Sequence, residues 1–363
     1  MSRLQGFYRR MASRGPDGFL QWLLFLLLVP LGAAYGGIGR VRAILYRRGL
    51  LPGEGATVPI ISVGNLTVGG TGKTPMVDYL VKFCLANDRR VAVVSRGYGG
   101  RKRPEVQVVS AGQGPILEPH QCGDEPYLLA RRNPQALVLV SPRRKAAVRR
   151  AVEEFGAEVI LLDDGFQHLA VKRDLDIVLL DARRPFGNGH VLPAGLLREP
   201  VSALGRGDLF VLTRCESDQF SSLPMVPKAG PTLRCRHLLS DEAHGLQGDK
   251  LPLASLAGKQ GVAFAGIAEP EGFFRELRDK GLTLATEIPF ADHCAYGDFE
   301  RETLRNACKG ADYLITTEKD GVKLPFSEFP LPCYQVPMTL EFHEDGVLEL
   351  ILRSILRPKD KTS

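Results

Sequence analysis

Cysteine is scarce in this 363-residue chain, and its seven copies are scattered. No two of them form a C-x-x-C pair. An odd, dispersed set in a chain of this length predicts reduced thiols rather than a disulfide framework, and it offers no spacing typical of structural zinc. The sequence therefore favours a reducing, cytosolic environment over a secreted one.

Excess positive charge is absent from most of the chain. Residues 1–50 hold eight arginines and one acidic residue, Asp17, which leaves 39 basic and 40 acidic side chains in the remainder. A nucleic-acid-binding protein would carry its basic excess on a folded face. We therefore expect no nucleic-acid partner, and we expect the local charge of +7 to serve the N-terminal segment alone.

Charge of either sign is missing from residues 19–39, FLQWLLFLLLVPLGAAYGGIG. Their number would allow a membrane span of about 20 residues. Pro30 and the glycines after it are expected to interrupt the second half, and arginines on both sides give no preferred translocated side. We favour a segment that dips into one leaflet, with its arginines on anionic headgroups, over a full span. A buried helix of a soluble core is the remaining alternative.

The chain is longer than one hydrophobic core usually supports, since single cores stop growing at about 250–300 residues. We expect an N-terminal membrane-associated segment at 1–50, a first domain at 51–230, and a smaller second domain at 231–357. Alternating strand and helix patterns in both parts predict an α/β protein.

A glycine is missing from the start of a phosphate-loop pattern. Residues 65–74, NLTVGGTGKT, end like G-x-x-x-x-G-K-[ST], but Thr67 stands where the first glycine belongs. A strand predicted at 58–63 precedes the loop, while a helix at about 73–86 and a strand at 91–95 follow it. In this βαβ setting we predict that a nucleotide contacts Thr67, Val68, Gly69, Gly70, Thr71, Gly72, Lys73 and Thr74. A glycine-rich turn without a ligand is the alternative.

Magnesium would be expected beside such a loop. The hydrophobic run Val159–Leu162 ends in Asp163 and Asp164, and a further strand is predicted at 174–182. One carboxylate at the end of a strand can hold the metal or its water, and the Thr74 hydroxyl would bind it from the loop. The residue types do not distinguish the roles of the two aspartates, and a plain Asp-Asp-Gly turn is the alternative.

The remaining polar strings separate the candidate families. A GTPase would carry [NT]-K-x-D, whereas the nearest string, TEKD at 317–320, has its lysine third. The other strings are SRGYGG (95–100), GDEP (123–126), SPRRKAA (141–147), DDGFQH (163–168), RRPFGNGHVLPAGLLREP (183–200), FADH (290–293) and TEKDGVK (317–323). With the unusual loop, their combination resembles the tetraacyldisaccharide 4′-kinase family from the apolar N-terminus to at least residue 323.

The resemblance implies a fold and an activity. The fold is α/β, with a phosphate-loop NTPase-like parallel sheet covered by helices on both faces, a second smaller α/β/α domain and an N-terminal membrane-associated helix. The activity is transfer of the γ-phosphate of ATP, with Mg²⁺, to the 4′-hydroxyl of a tetraacylated glucosamine disaccharide 1-phosphate, a lipid A precursor. The implied location is the cytoplasmic face of the bacterial inner membrane, among its lipids, as a monotopic protein.

The resemblance also implies roles for particular residues. Asp124 matches the position of a general base, and His293 matches a histidine that orients it, beside the catalytic Lys73. Residues suited to the substrate, by their donors or their position, are Arg144, Gln167, His168, Arg198 and Tyr98. The plainer alternatives are a helix-capping Asp124, an inert His293 in a loop, and solvated arginines on a helix face.

Two rival functions remain open from the residues. A phosphate-loop ligase or synthetase acting on a small soluble acid would not need the apolar N-terminal segment. A nucleotide-switched metallochaperone or GTPase should carry a guanine motif and clusters of Cys and His. The chain has neither feature, so the kinase is the favoured interpretation.

Overall fold

The computed structural model describes residues 3–97, 105–215, 230–246, 248–325 and 329–357. The strands are β1 Ile60–Asn65, β2 Val91–Ser95, β3 Gln107–Ala111, β4 Leu137–Val140, β5 Val159–Asp163, β6 Leu175–Asp181, β7 Leu209–Thr213, β8 Thr232–Leu239, β9 Glu242–Gly245, β10 Lys250–Pro252, β11 Gln260–Ala265, β12 Thr283–Pro289, β13 Tyr313–Thr317, β14 Cys333–Val336 and β15 Met338–Phe342. The α-helices are α1 Arg3–Arg14, α2 Phe19–Arg47, α3 Lys73–Ala86, α4 Pro119–Cys122, α5 Asp124–Arg132, α6 Arg144–Glu153, α7 Pro270–Asp279, α8 Asp298–Ala307, α9 Glu318–Gly321 and α10 Val347–Leu356.

The chain forms two compact units that differ in composition from the predicted domains. The first comprises the residues up to 116, 129–236 and those from 341 onward; the second comprises 117–128 and 237–340. Helix α10 belongs to the first unit because Glu349 accepts a hydrogen bond from Tyr79 of α3 and the Leu356 carbonyl accepts one from Arg89. The last residues of the predicted second domain are thus part of the first unit.

The sheet of the first unit has nine strands in the order β15-β8-β7-β6-β1-β5-β2-β4-β3. β1 runs parallel to both β5 and β6, and Val63 lies opposite Asp163, so the carboxyl ends of β1 and β5 meet at one edge. β3 pairs antiparallel with β4 at the border of the sheet. β1, β2, β4 and β5 are buried along their whole length, as expected of strands covered on both faces.

The second unit has a six-stranded sheet in the order β10-β9-β14-β13-β11-β12. Strands β12, β11, β13 and β14 are parallel, while β9 pairs antiparallel with β14 and β10. Phe273, Phe274 and Leu277 of α7 pack with the inner residues of β11 and β13 in one buried cluster. A phosphate-loop-bearing parallel sheet and a smaller α/β unit confirm the predicted fold class.

The apolar N-terminal segment forms one long helix, α2, which runs through Pro30 without a break. Pro30 therefore does not end the helix. Gly32 and Gly36 face the 187–200 segment so closely that an added Cβ would lie 2.8 Å from the Val191 carbonyl oxygen or 3.2 Å from the Pro200 ring. The two glycines let that side of α2 pack, which stabilises the helix beyond the proline.

The opposite side of α2 is open to solvent and apolar. Phe19, Leu20 and Leu27 are 82%, 68% and 65% exposed. α2 is long and apolar enough to cross a membrane, judged by length and composition, with a mean hydropathy of 1.8 over its most apolar window. Large exposed apolar faces mark interaction sites, so this side of the helix is a candidate membrane contact.

Candidate active site

The predicted phosphate loop lies between the end of β1 and the start of α3. Gly69 and Gly72 adopt positive φ angles of 134° and 86°, which residues with a side chain rarely adopt. A Cβ added at Gly69 or Gly70 would have no atom within 4 Å, so there is open space beside the loop. The buried Thr71 hydroxyl has no hydrogen-bond partner among the described residues. The loop thus offers open space and an unpartnered hydroxyl, both of which suit a phosphate chain.

The bend that normally needs the first glycine is held here by neighbouring groups. Thr67 has no positive φ, and its carbonyl accepts a hydrogen bond of 2.8 Å from the Asn65 side-chain amide. The next backbone N–H, of Val68, donates to the Leu196 carbonyl at 2.8 Å, and Arg198 N–H donates to the Leu66 carbonyl at 2.7 Å. The backbone on both sides of Thr67 is therefore fixed without a glycine.

Lys73 contacts two side chains of the first unit, Asn65 and Asp164. Its ammonium group donates to Asn65 Oδ1 at 3.2 Å and lies 3.5 Å from Asp164 Oδ1. Arg198 donates to both oxygens of Asp164, at 2.9 and 2.8 Å. Burial alone would raise the pKa of Asp164, but the charges of Lys73 and Arg198 outweigh it and hold that pKa below its ordinary value. Asp164 is therefore ionised and stabilises two cations at the loop.

Asp163 lies at the last position of β5 and is buried. Its Oδ2 accepts a hydrogen bond of 3.2 Å from Ser95, the last residue of β2. Asp164 follows with a positive φ of 52°, which turns the chain so that the two carboxylates have different partners. The predicted pair thus occupies the strand edge that also carries the phosphate loop.

Arg144, predicted to bind a phosphate group of the substrate or of ATP, is only 3% exposed at the start of α6. Its guanidinium donates 2.7 Å hydrogen bonds to the carbonyl oxygens of both Asp163 and Asp164. The alternative of a solvated arginine is therefore wrong for Arg144. In the described geometry this side chain fixes the backbone that carries the two aspartates.

Gln167 and His168 follow the aspartates on the same turn. Gln167 donates to the Asn65 carbonyl at 2.8 Å, and its Oε1 lies 3.5 Å from Arg198 Nη1. Burial, followed by the charges of Arg144, Arg42 and other arginines, lowers the pKa of His168 to about 4. His168 is therefore neutral at physiological pH. Tyr98, the other residue predicted to contact the substrate, lies outside the described residues.

Asp124 and the His293 loop come together within the second unit through Lys323. The Lys323 ammonium lies 3.4 Å from Asp124 Oδ2, and it donates to the carbonyl of Cys294, the residue after His293, at 3.1 Å. The same ammonium lies 3.5 Å from Asp320 Oδ1, and Asp320 is fully buried. Lys323 thus connects the segments that carry the predicted base and the predicted orienting histidine.

His293 has a positive φ of 60°, and its N–H donates to the Gly266 carbonyl at 3.1 Å. Gly266 in turn donates to Asp320 Oδ2 at 2.9 Å. A Cβ at residue 266 would lie 3.0 Å from Asp320 Oδ1 and 3.0 Å from the Cys294 Cβ, so a glycine is needed at this close approach. These contacts fix the strained backbone of the His293 loop.

Sequence reasoning missed three residues at these sites. Asn65 lies immediately before the loop, and Ser95 ends a strand beside Asp163, but a single polar residue at a strand end is a weak signal. Lys323 ends the string TEKDGVK, which was recognised without a role for this lysine. Its partners Asp124 and Cys294 are distant in sequence, so only the fold reveals the contacts.

Comparisons with known proteins identify the family of the chain. Residues 24–357 match a sequence model of the family described as tetraacyldisaccharide-1-P 4′-kinase. The tetraacyldisaccharide 4′-kinase of Syntrophotalea carbinolica is 60% identical over 356 residues, covering 98% of this chain and 99% of that protein. The protein of the same name from Geobacter sulfurreducens is 47% identical, covering 97% of this chain and 99% of its own length.

A solved structure is also similar. The crystal structure of LpxK from Aquifex aeolicus in complex with ATP superposes with a TM-score of 0.78 and 32% sequence identity, covering 92% of this chain and 99% of that one. The family match spans the phosphate loop, the paired aspartates and the Asp124 and His293 segments. The chain therefore belongs to the tetraacyldisaccharide 4′-kinase family.

Proposed function

We propose that this chain is an ATP-dependent kinase that transfers the γ-phosphate to the 4′-hydroxyl of a tetraacylated glucosamine disaccharide 1-phosphate, a lipid A precursor. The observation that carries the proposal is the phosphate loop with Lys73 held between Asn65 and Asp164, in a member of a family named for this reaction. A kinase needs cations around the migrating phosphoryl group and a base for the attacking hydroxyl.

ATP binds at the loop in this proposal. The N–H groups of residues 69–72 and the N-terminus of α3 face the phosphates, and Lys73 stabilises the β- and γ-phosphates. The open space beside Gly69 and Gly70 and the unpartnered Thr71 hydroxyl support this placement, because both suit a phosphate oxygen. Lys73 is already next to the loop, so little reorganisation is required when the nucleotide binds.

Magnesium is the cofactor that such a site would use. Thr74, Asp163 and Asp164 supply hydroxyl and carboxylate oxygens, which are the ligands that this cation prefers. No group of three or more His, Cys, Asp or Glu residues that could hold a metal unaided occurs in the part of the chain that the structure describes. The cation would neutralise negative charge on the phosphates.

Asp124 is the proposed base, and His293 its orienting partner. Asp124 is at the first position of α5, and Lys323 contacts one of its carboxylate oxygens while also binding the His293 loop. Such support reduces the freedom of the carboxylate, so that one oxygen can accept the proton of the attacking hydroxyl. A capping role would not require a buried lysine that joins the two segments.

The acceptor lipid is proposed to meet the protein at the membrane. Arg198, Gln167, His168, Arg144 and Tyr98 are the candidates near its sugar and phosphate groups, with neutral His168 able to hydrogen-bond a hydroxyl. The exposed apolar side of α2 and the arginines of the N-terminal segment would contact inner-membrane lipids on the cytoplasmic face. This arrangement is monotopic, since the other side of α2 packs against residues 187–200.

A transfer assay tests the proposal. Purified full-length protein is incubated in detergent with γ-labelled ATP, Mg²⁺ and the disaccharide 1-phosphate, and the lipid is extracted. We expect label on the lipid as a second phosphomonoester. Label found only on inorganic phosphate, at an unchanged rate with and without the lipid, would contradict a lipid kinase.

Two controls make the assay specific. A disaccharide that already carries a 4′-phosphate should accept no label. The Lys73→Ala variant should lose about 10²–10³ in rate, because it lacks the charge that stabilises the phosphoryl group. Near-normal turnover in a folded Lys73→Ala variant would show that the phosphate loop takes no part in the reaction.

A further inference from the structure

We infer that Asn65 is a positioning residue of the nucleotide site. Its side-chain amide donates a hydrogen bond to the bend of the phosphate loop and accepts one from the catalytic lysine. Asn65 touches no reacting atom in this inference and acts through Thr67 and Lys73. The inference depends on the ATP-binding half of the proposed function and is independent of the identity of the acceptor.

The first contact of Asn65 replaces the missing glycine. Its Nδ2 donates to the Thr67 carbonyl at 2.8 Å, and this bond is buried. A threonine cannot readily take the strained φ that a glycine allows at a bend. The bond from Asn65 instead holds the Thr67 carbonyl under the loop, so a bend is formed with an ordinary residue. The buried hydrogen bond thus links Asn65 to the threonine that stands in place of the first glycine.

The second contact positions Lys73. Asn65 Oδ1 accepts from the Lys73 ammonium at 3.2 Å, on the same amide that holds Thr67. Asp164 contacts the ammonium as well, at 3.5 Å, and the Arg198 bonds constrain that carboxylate. A neutral oxygen holds the lysine without competing strongly for its charge, whereas a second carboxylate would. Asn65 therefore directs the ammonium while leaving its charge for a phosphate group.

The position of Asn65 itself is fixed by burial and by a third bond. Asn65 is fully buried at the last position of β1, opposite Leu179 of β6. Its own backbone carbonyl accepts from Gln167 at 2.8 Å. The amide therefore cannot turn away to solvent, and its donor and acceptor stay aimed at the loop and at the lysine.

Two substitutions separate the two contacts. Asn65→Asp keeps an acceptor for Lys73 and loses the donor to Thr67, whereas Asn65→Leu loses both. We expect the dissociation constant for ATP to rise on the order of ten-fold in both variants, because the loop bend loses its buried hydrogen bond. We expect kcat to fall in Asn65→Leu because Lys73 loses this partner, and in Asn65→Asp because the second carboxylate competes with the phosphate for the charge of the ammonium.

Asn87→Leu is the matched control. Asn87 follows α3 at the opposite end of the helix, and its amide also donates a 2.8 Å bond to a backbone carbonyl, that of Phe83. We expect this variant to keep wild-type ATP affinity and kcat even where its melting temperature changes as much as that of the Asn65 variants. ATP affinity is measured by calorimetry without the lipid, so it remains informative if the acceptor assignment fails.

A double variant gives the decisive comparison. If Asn65 acts on the chemistry through Lys73, Asn65→Leu should reduce kcat little further once Lys73→Ala is present. Equal reductions of kcat by Asn65→Leu in both backgrounds, or a folded Asn65→Leu variant with ATP affinity and kcat within about two-fold of wild type, would overturn the inference.

Discussion

Arg198 directs one guanidinium nitrogen at both carboxylate oxygens of Asp164, at 2.9 and 2.8 Å. The same carboxylate is 3.5 Å from the Lys73 ammonium, so Arg198 and Lys73 share one negative charge. Arg198 also donates its backbone N–H to Leu66 beside the phosphate loop. A residue predicted for substrate binding is therefore, in this structure, an organiser of the loop and its lysine.

Replacing Arg198 with methionine should weaken that arrangement. The variant loses two charge-assisted hydrogen bonds and one of the charges that hold the pKa of Asp164 low, so we expect kcat/KM for ATP to fall by roughly 10- to 100-fold. Arg198→Lys should recover part of the loss, since it restores charge without the same bonds. Steady-state kinetics measure both, with Arg150→Met as the control because Arg150 of α6 bonds Glu154 and the Val106 carbonyl rather than the loop. Unchanged kinetics in Arg198→Met would show that Asn65 and Asp164 keep Lys73 in place without Arg198.

Asp124 and Asp163 should give different kinetic defects. Asp124→Asn keeps the shape of the side chain and removes its basicity, so we expect kcat to fall about 10²–10⁴-fold with little change in KM for ATP. Asp163→Asn should instead raise the Mg²⁺ concentration needed for half-maximal rate. Glu125→Gln is the control for Asp124, since Glu125 is the next residue of α5 and pairs with Lys319. A raised Mg²⁺ requirement with normal kcat in Asp124→Asn would reverse the two roles. If Asp124→Asn changes neither kcat nor the Mg²⁺ requirement, Asp124 is only a helix cap.

His168 makes the stability of the protein depend on acidity. The unfolded chain binds a proton at this histidine near its ordinary pKa of 6.5, whereas the folded chain binds one only near pH 4. The unfolded state therefore holds more protons between these values, so this contribution to stability is full above pH 6.5 and is lost as the pH falls toward 4. The free energy of unfolding should fall less between pH 7.5 and pH 5 in His168→Gln than in the wild type. Urea denaturation at each pH measures this, since the two values lie on either side of the pKa of 6.5 in the unfolded chain. An identical pH dependence in wild type and variant would refute the lowered pKa of His168.

Membrane binding should depend on the exposed side of α2. Leu27 is 65% exposed, so Leu27→Glu should leave the fold intact and release much of the protein from anionic vesicles in a flotation assay. Leu350→Glu on α10 is the control, because Leu350 is 69% exposed on a different helix of the first unit. Equal release by both substitutions would point to a general effect of added negative charge. Full retention of Leu27→Glu would place the membrane contact elsewhere.

Local patterns predicted much of the first unit. The helix expected at about 73–86 is α3, Lys73–Ala86, and the strand expected at 91–95 is β2. Both follow from short-range periodicity and from glycine chemistry in the loop. The strand before the loop was expected at 58–63 but runs from Ile60 to Asn65, so that its last residue reaches the phosphate loop. That shift of the strand end is what places Asn65 at the site.

Contacts between distant segments could not be predicted from those patterns. α2 continues past Pro30, where Gly32 and Gly36 pack against residues 187–200, and this packing offsets the local cost of the proline. Arg144 was weighed as a phosphate donor or a solvated side chain, whereas it binds the carbonyls of Asp163 and Asp164. In each case the deciding partner is far away in sequence.

Residues 187–200 contact both the N-terminal helices and the phosphate loop. Their Pro193 carbonyl accepts from Tyr8 of α1, Val191 faces Gly32 of α2, and the Leu196 carbonyl accepts from Val68 of the loop. The helices are therefore not an interchangeable tether. A chimera in which an unrelated amphipathic helix replaces residues 1–47 should still reach the bilayer, yet bind ATP more weakly in calorimetry, because the scaffold behind the loop is gone. Wild-type ATP affinity in such a chimera would make the anchor and the nucleotide site separable modules.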